Sequence, residues 1–172
     1  FSAGLDIISL YNKDKEYMET FWRMFSSLLL RIYRYPKLIF SAISGHSPAG
    51  GTVISIMTDY RIMSKGNYVI GLNEVAVGLS MPIGIGRVFQ SLLGERIAEK
   101  MTLTGKLVNP EEAESIGLID EVVESDNLLN HSIETMNKWL KLPFNKQIQS
   151  KLSLRKEVID LMVDTVKKEN DN

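Results

Sequence analysis

The sequence predicts an α/β fold with a helical carboxyl-terminal part, and three observations carry that prediction. Short β-branched or aromatic runs interleave with helical patterns up to about residue 125. A loop of small residues, 44–51, joins one such run directly to a helix start. After Asp126 the pattern is helical only, broken near Pro143. The 172 residues therefore divide into an α/β part, 1–125, and a helical region, 126–172.

Each element has a local cause. Tyr17, Met18, Phe21, Trp22, Phe25, Leu28, Leu29 and Ile32 recur at helical spacing between Lys15 and Tyr35, and Pro36 ends the pattern. Residues 38–43 form a short apolar run that reads as a buried strand. A helix from about Thr52 to Met57 follows the small-residue loop. Residues 60–63 and 68–71 read as two strands around the turn Ser64-Lys65-Gly66-Asn67. Asn109-Pro110-Glu111-Glu112 offers an N-cap, a first-turn proline and acids at the positive end of a helix, with Gly117 as its stop. Residues 118–123 then read as a strand, with Asp120 pinning its end.

Composition narrows the function classes. The chain has no Cys, which excludes a disulfide framework and any thiolate metal site. Twenty Lys+Arg against 21 Asp+Glu leave a formal charge of −1, so there is no broad attraction toward nucleic acid or an anionic membrane. No apolar stretch approaches the roughly 20 residues of a membrane span, and no metal-ligand cluster stands out. The chain begins at Phe1, not Met, and the apolar text starts at once, so sequence upstream is expected to be missing. The final residues, 167–172, are not a peroxisomal tripeptide signal.

The loop at 44–51 is the first place to look for chemistry. A phosphate-binding loop needs Lys and Ser/Thr after its glycines, whereas Gly50-Gly51 is followed by Thr52-Val53. A nucleophile elbow around Ser47 has the required strand before it, but the residue after the serine is Pro48, which has no N–H to give an oxyanion. The histidines available as its base are His46, inside the loop, and His131, on a predicted surface helix. A third reading uses only backbone: glycines at a helix start present unpaired N–H groups and the positive end of the helix dipole to an oxyanion or enolate. Ala49-Gly50-Gly51 taken in isolation fits equally a helix packed tightly on a strand.

The wider pattern resembles a known family. Ser2-Ala3-Gly4-Leu5-Asp6-Ile7, then Ser44-Gly45 with Ala49-Gly50-Gly51, Asp59-Tyr60-Arg61-Ile62, Gly71-Leu72-Asn73-Glu74 and Gly78-Leu79 with Pro82 resemble the ordered landmarks of the crotonase, or enoyl-CoA hydratase/isomerase, superfamily. Leu103-Thr104-Gly105, Glu112-Ala113 and residues 117–123 continue the match, which spans about residues 1–125. Within the superfamily the wording is most similar to the mitochondrial Δ3,Δ2-enoyl-CoA isomerase subgroup.

The resemblance implies a spiral of ββα turns followed by a helical region that builds homotrimers. It also implies strands ahead of Ser2, so the spiral would be incomplete in these residues. The substrate implied is an acyl-CoA thioester, whose CoA leaves no separate cofactor to be bound, and the compartment implied is the mitochondrial matrix, with the peroxisome as the alternative. The backbone N–H groups of Leu5 and Gly50 are implied as the oxyanion hole and Glu74 as the catalytic carboxylate. Ser2, Ala3, Gly4, Asp6, Ile7, Gly51, Asn73 and Pro82 are implied around the substrate, although Asp6 by its own position reads better as a turn or hydrogen-bonding residue. Hydratases of the superfamily carry a second acid shortly after the glycines, and here that place holds Val53. The substitution favours an isomerase.

Overall fold

The computed structural model describes the backbone of residues 1–170 and side chains through Lys167. Asp171 and Asn172, part of the predicted helical region, lie outside the described residues. The core is built by a chain that alternates between two small parallel sheets. Strands β1 (Phe40–Ile43), β3 (Tyr60–Ser64) and β5 (Glu121–Val123) form one sheet in the order β1-β3-β5. Strands β2 (Ser47–Pro48) and β4 (Ile70–Gly71) form the other. Every pairing between these strands is parallel, with Ile43 opposite Met63, Ser64 opposite Val123 and Pro48 opposite Gly71, while Ile70 also makes an antiparallel bridge to Val108.

Parallel pairing explains why residues 60–71 do not form a hairpin. The Ser64–Asn67 turn sends the chain from one sheet to the other, so β3 and β4 are consecutive without being partners. Parallel strands require crossovers, and α3 (Gly50–Ile56) is the first of them. Strands buried on both faces read as continuous apolar runs, and Ile43, Ile62, Met63 and Ile70 are all fully buried.

Helices cover this spiral. The amphipathic α2 (Lys15–Tyr33) is capped by Asp14, whose carboxylate accepts from Tyr17 N–H, and it buries Leu29, Leu30 and Tyr33. Its Met24 and Leu28 face outward, so the stripe is core only over its last turns. Asn109 caps α6 (Pro110–Ser115) as its sequence predicts, and Gly117 takes the left-handed conformation, φ +81°, that ends it. Asp120 pins β5 to β3 by accepting from both the backbone N–H and the guanidinium of Arg61, each at 2.8 Å.

Several elements have no clear sequence signal. α1 (Ile7–Tyr11) is a single exposed turn held by its cap, and α4 (Ile83–Leu93) and α5 (Glu95–Thr104) occupy a stretch rich in glycine. The carboxyl-terminal α7 (Leu128–Trp139), α8 (Phe144–Leu154) and α9 (Lys156–Asn170) follow the predicted helical pattern, with Pro143 starting α8. α8 and α9 are fastened to the core by Asp59, whose buried carboxylate receives Lys151 Nζ and an Arg155 guanidinium nitrogen at 2.9 Å each. Among the described residues no helix is long and apolar enough to cross a membrane, and no His/Asp/Glu group is arranged to hold a metal.

Candidate active site

The site is assembled where the amino-terminal segment crosses the start of α3. Gly4 and Gly50 touch so closely that a Cβ on Gly50 would lie 3.1 Å from Gly4 Cα and 3.3 Å from Leu5 N. A Cβ on Gly51 would fall 2.5 Å from the Ser2 carbonyl oxygen, closer than real Cβ contacts allow. Glycine is therefore required at both positions by close approach of two backbones. The result brings Leu5 N close to Gly50, and among the described residues no acceptor takes a hydrogen bond from the N–H of Leu5 or Gly50. Such a pair, at the first turn of a helix, is a ready receptor for a developing oxyanion.

Thr52 locks the turn to the second sheet. Its hydroxyl donates to the Ser47 carbonyl and accepts from Gly71 N–H at 2.8 Å, with the side chain fully buried. Ala49 N–H donates to Gly71 carbonyl oxygen at 2.9 Å. From Gly71 the chain runs through Leu72 and Asn73 to Glu74, the first residue of a short 3-10 turn, Glu74–Val77. Three residues reach at most about 11 Å, so the Glu74 Cα lies within that distance of Gly71, the residue hydrogen-bonded to Ala49.

Glu74 has the setting of a base. Its Oε2 is buried and has no hydrogen-bond partner among the described residues, and burial pushes its carboxyl above the ordinary glutamate range. Val75 and Val77, on the same turn, are exposed apolar neighbours. Asn73 Oδ1 is likewise buried without a partner. Buried acceptors without a partner are uncommon, and here two stand on adjacent residues.

The remaining predicted residues separate into two groups. Ser2, Ala3 and Gly4 are brought to the oxyanion turn: Ser2 N–H donates to the His46 carbonyl at 3.1 Å, and its hydroxyl accepts from Gly4 N–H at 3.2 Å. Asp6 instead caps α1, accepting from the Ser9 N–H and hydroxyl at 3.0 and 2.6 Å, which holds its carboxyl below the usual range. Ile7 begins α1 with its side chain half exposed, and exposed Pro82 serves as the start of α4, its carbonyl accepting from Gly86 N–H at 3.0 Å.

The nucleophile-elbow reading fails on geometry. Ser47 is fully buried. His46 Nδ1 accepts from Val69 N–H at 3.2 Å, and His131 Nε2 pairs with Glu121 at 2.5 Å. Val53 sits in the core with Ile56 and Met57, so no second carboxylate follows the glycines. Sequence reasoning missed Ala49 and Thr52. An alanine gives no sign that it will take a left-handed backbone, and a threonine in a helix looks like any other until its hydroxyl is seen bridging two strands.

Comparison with known proteins gives the family and the fold. The sequence matches the family described as enoyl-CoA hydratase/isomerase over residues 1–172. It is 35% identical over 164 residues to mitochondrial enoyl-CoA delta isomerase 1 of Mus musculus, covering 95% of this chain and 57% of that protein. The Homo sapiens counterpart is 30% identical over 164 residues, with 95% and 54% covered. The chain thus spans little more than half the length of these relatives. The crystal structure of human mitochondrial delta3-delta2-enoyl-CoA isomerase superposes with a TM-score of 0.94 at 29% identity, covering 98% of this chain and 66% of that one. The alternation of strands between two sheets is the crotonase spiral.

Proposed function

From its membership of the enoyl-CoA hydratase/isomerase family, to which this chain belongs, we propose that the protein moves the double bond of 3-cis- or 3-trans-enoyl-CoA thioesters to the 2-trans position. The observation that carries this reading is the half-buried carboxylate of Glu74, whose Oε2 is buried without a partner among the described residues, in a chain whose other acid position is the core residue Val53. Hydration must hold and activate a water between acid and base groups. Moving a double bond requires only that one proton leave one carbon and return to another, which one carboxylate can do.

Glu74 removes a proton from C2 of the 3-enoyl thioester, and the electrons pass into a dienolate whose C1 oxygen carries the charge. The N–H groups of Leu5 and Gly50 receive that oxygen, each donor of this kind being worth about 10²–10³ in rate. The protonated Glu74 then delivers the proton to C4, leaving the double bond between C2 and C3 and the carboxylate restored. A carboxyl lifted above its ordinary range suits both halves, being basic enough to take a carbon-bound proton and acidic enough to return it.

The step calls on no cofactor, since CoA enters and leaves as part of the substrate. The proposal includes a role in β-oxidation of unsaturated fatty acids, the mitochondrial matrix as compartment, in line with the names of the relatives, and a homotrimer built through the helical region from residue 126 onward. Wild-type and Glu74→Gln protein, given 3-enoyl-CoA and separately 2-enoyl-CoA, test the reaction. Migration without hydration in the wild type, lost in Glu74→Gln while CoA binding persists, is expected. Strong hydration of 2-enoyl-CoA would overturn the single-carboxylate reading, and sedimentation analysis decides the trimer.

A further inference from the structure

Among the described residues, Ala49 is the one non-glycine residue with a positive φ, +49° with ψ −120°. Glycine enters this region freely, whereas an L-residue with a Cβ is strained there. If the turn needed only its backbone path, glycine would serve better. The Cβ of Ala49 has a specific neighbour: it faces Gly4, 3.4 Å from where a Cβ on that glycine would stand, beside the segment that carries Leu5 N–H. Ala49 is also fixed from behind, since its own N–H donates to Gly71 at 2.9 Å and its carbonyl accepts from Val53 N–H at 2.9 Å inside α3.

We propose that Ala49 is a positioning residue for the oxyanion hole: its methyl group, held out by a strained backbone, braces Gly4 and so sets the separation of the Leu5 and Gly50 N–H groups. The physical reason is the narrow distance range over which donors stabilise an oxyanion, about 2.7–3.1 Å. The Gly4 segment is otherwise held near the turn by hydrogen bonds through Ser2, two residues away. Without the methyl, Gly4, itself at φ +96°, loses its neighbour on the Ala49 side, and the separation of the two donors is no longer set from that side.

The role given to Ala49 rests on the isomerase reading of the site, and the experiment separates the two. Ala49→Gly and Ala49→Ser are compared with wild type in the full-length protein by thermal melting, by kcat and KM on 3-enoyl-CoA, and by the near-ultraviolet absorbance of the enolate of bound acetoacetyl-CoA. Ala49→Gly is expected to melt at or above the wild-type temperature while kcat falls about tenfold, KM stays within about twofold, and the enolate absorbance drops. Ala49→Ser, which keeps a Cβ, is expected to retain the wild-type kcat and enolate signal. Wild-type kcat and enolate absorbance in Ala49→Gly would overturn the proposal, as would a lowered melting temperature with an equal loss of activity in both variants. If the wild type binds acetoacetyl-CoA without moving double bonds, the isomerase reading falls and the enolate signal alone decides the role of Ala49.

Discussion

The backbone N–H of Ala49 donates to the carbonyl of Gly71 at 2.9 Å, and this bond joins the two halves of the site. Ala49 precedes Gly50 at the start of α3, and Gly71, the last residue of β4, lies three residues before Glu74. The bond lies at the ends of the adjacent parallel strands β2 and β4, each only two residues long, from which the chain runs on to the proposed donor Gly50 and the proposed base Glu74. A short rigid tie of this kind keeps proton transfer and charge stabilisation in register.

Replacing Glu74 by Gln should abolish proton transfer without harming the fold. The expected loss in kcat is about 10²–10⁴, with KM and CoA binding little changed. Because burial disfavours the charged form, Glu74→Gln should melt at or above the wild-type temperature near neutral pH. Steady-state kinetics and calorimetry on the same preparations check both parts.

The pH dependence follows from the same carboxyl. Its folded-state pKa is raised, so the free-enzyme base is lost by protonation at a higher pH than an ordinary glutamate would show. The acidic limb of kcat/KM against pH should lie above the usual carboxylate range. For stability the sign is opposite to that of an ion-paired carboxylate: the buried charge weakens the fold above the raised pKa, and the penalty disappears as pH falls through it. The gap in melting temperature between Glu74→Gln and wild type should therefore close on acidification.

Gly51→Ala should damage the site through crowding. The added methyl meets the Ser2 carbonyl at 2.5 Å and Ser47 Oγ at 2.9 Å, and the Ser2–Leu5 segment must move. Displacing the Leu5 donor should lower kcat by about 10²-fold or more. Gly78→Ala is the control: its φ of +78° carries about 1–2 kcal/mol of strain, but nothing lies within 4 Å of the added atom. Its activity should survive a modest loss of stability.

Asp59→Asn should loosen the carboxyl-terminal helices before the core. The Asp59 side chain is 6% exposed and receives Lys151 and Arg155 at 2.9 Å and Ile39 N–H at 2.7 Å. Leaving two buried cations without their carboxylate costs about 3–5 kcal/mol. Hydrogen exchange should show α8 and α9 losing protection first, with β1 and β3 following only on global unfolding. Uniform loss of protection across the chain would contradict the role given to Asp59.

Glu74 and Gly50 stood out only through the family resemblance, whereas the sequence by itself determined the α/β class, the α2 stripe with its stop at Pro36 and the Asn109 cap of α6. These are local facts: periodicity, caps and glycine placement act over a few residues, and the text records them directly. Tertiary structure alone decided that β3 and β4 part into different sheets, that Asp6 accepts from Ser9 to cap α1, that Asp59 fastens α8 and α9, and that Ala49 takes a left-handed backbone facing Gly4. Each of those depends on which distant backbone arrives opposite a residue. Long-range proximity, from Gly4 to Gly50 or from Asp59 to Lys151, leaves no periodic trace along the chain.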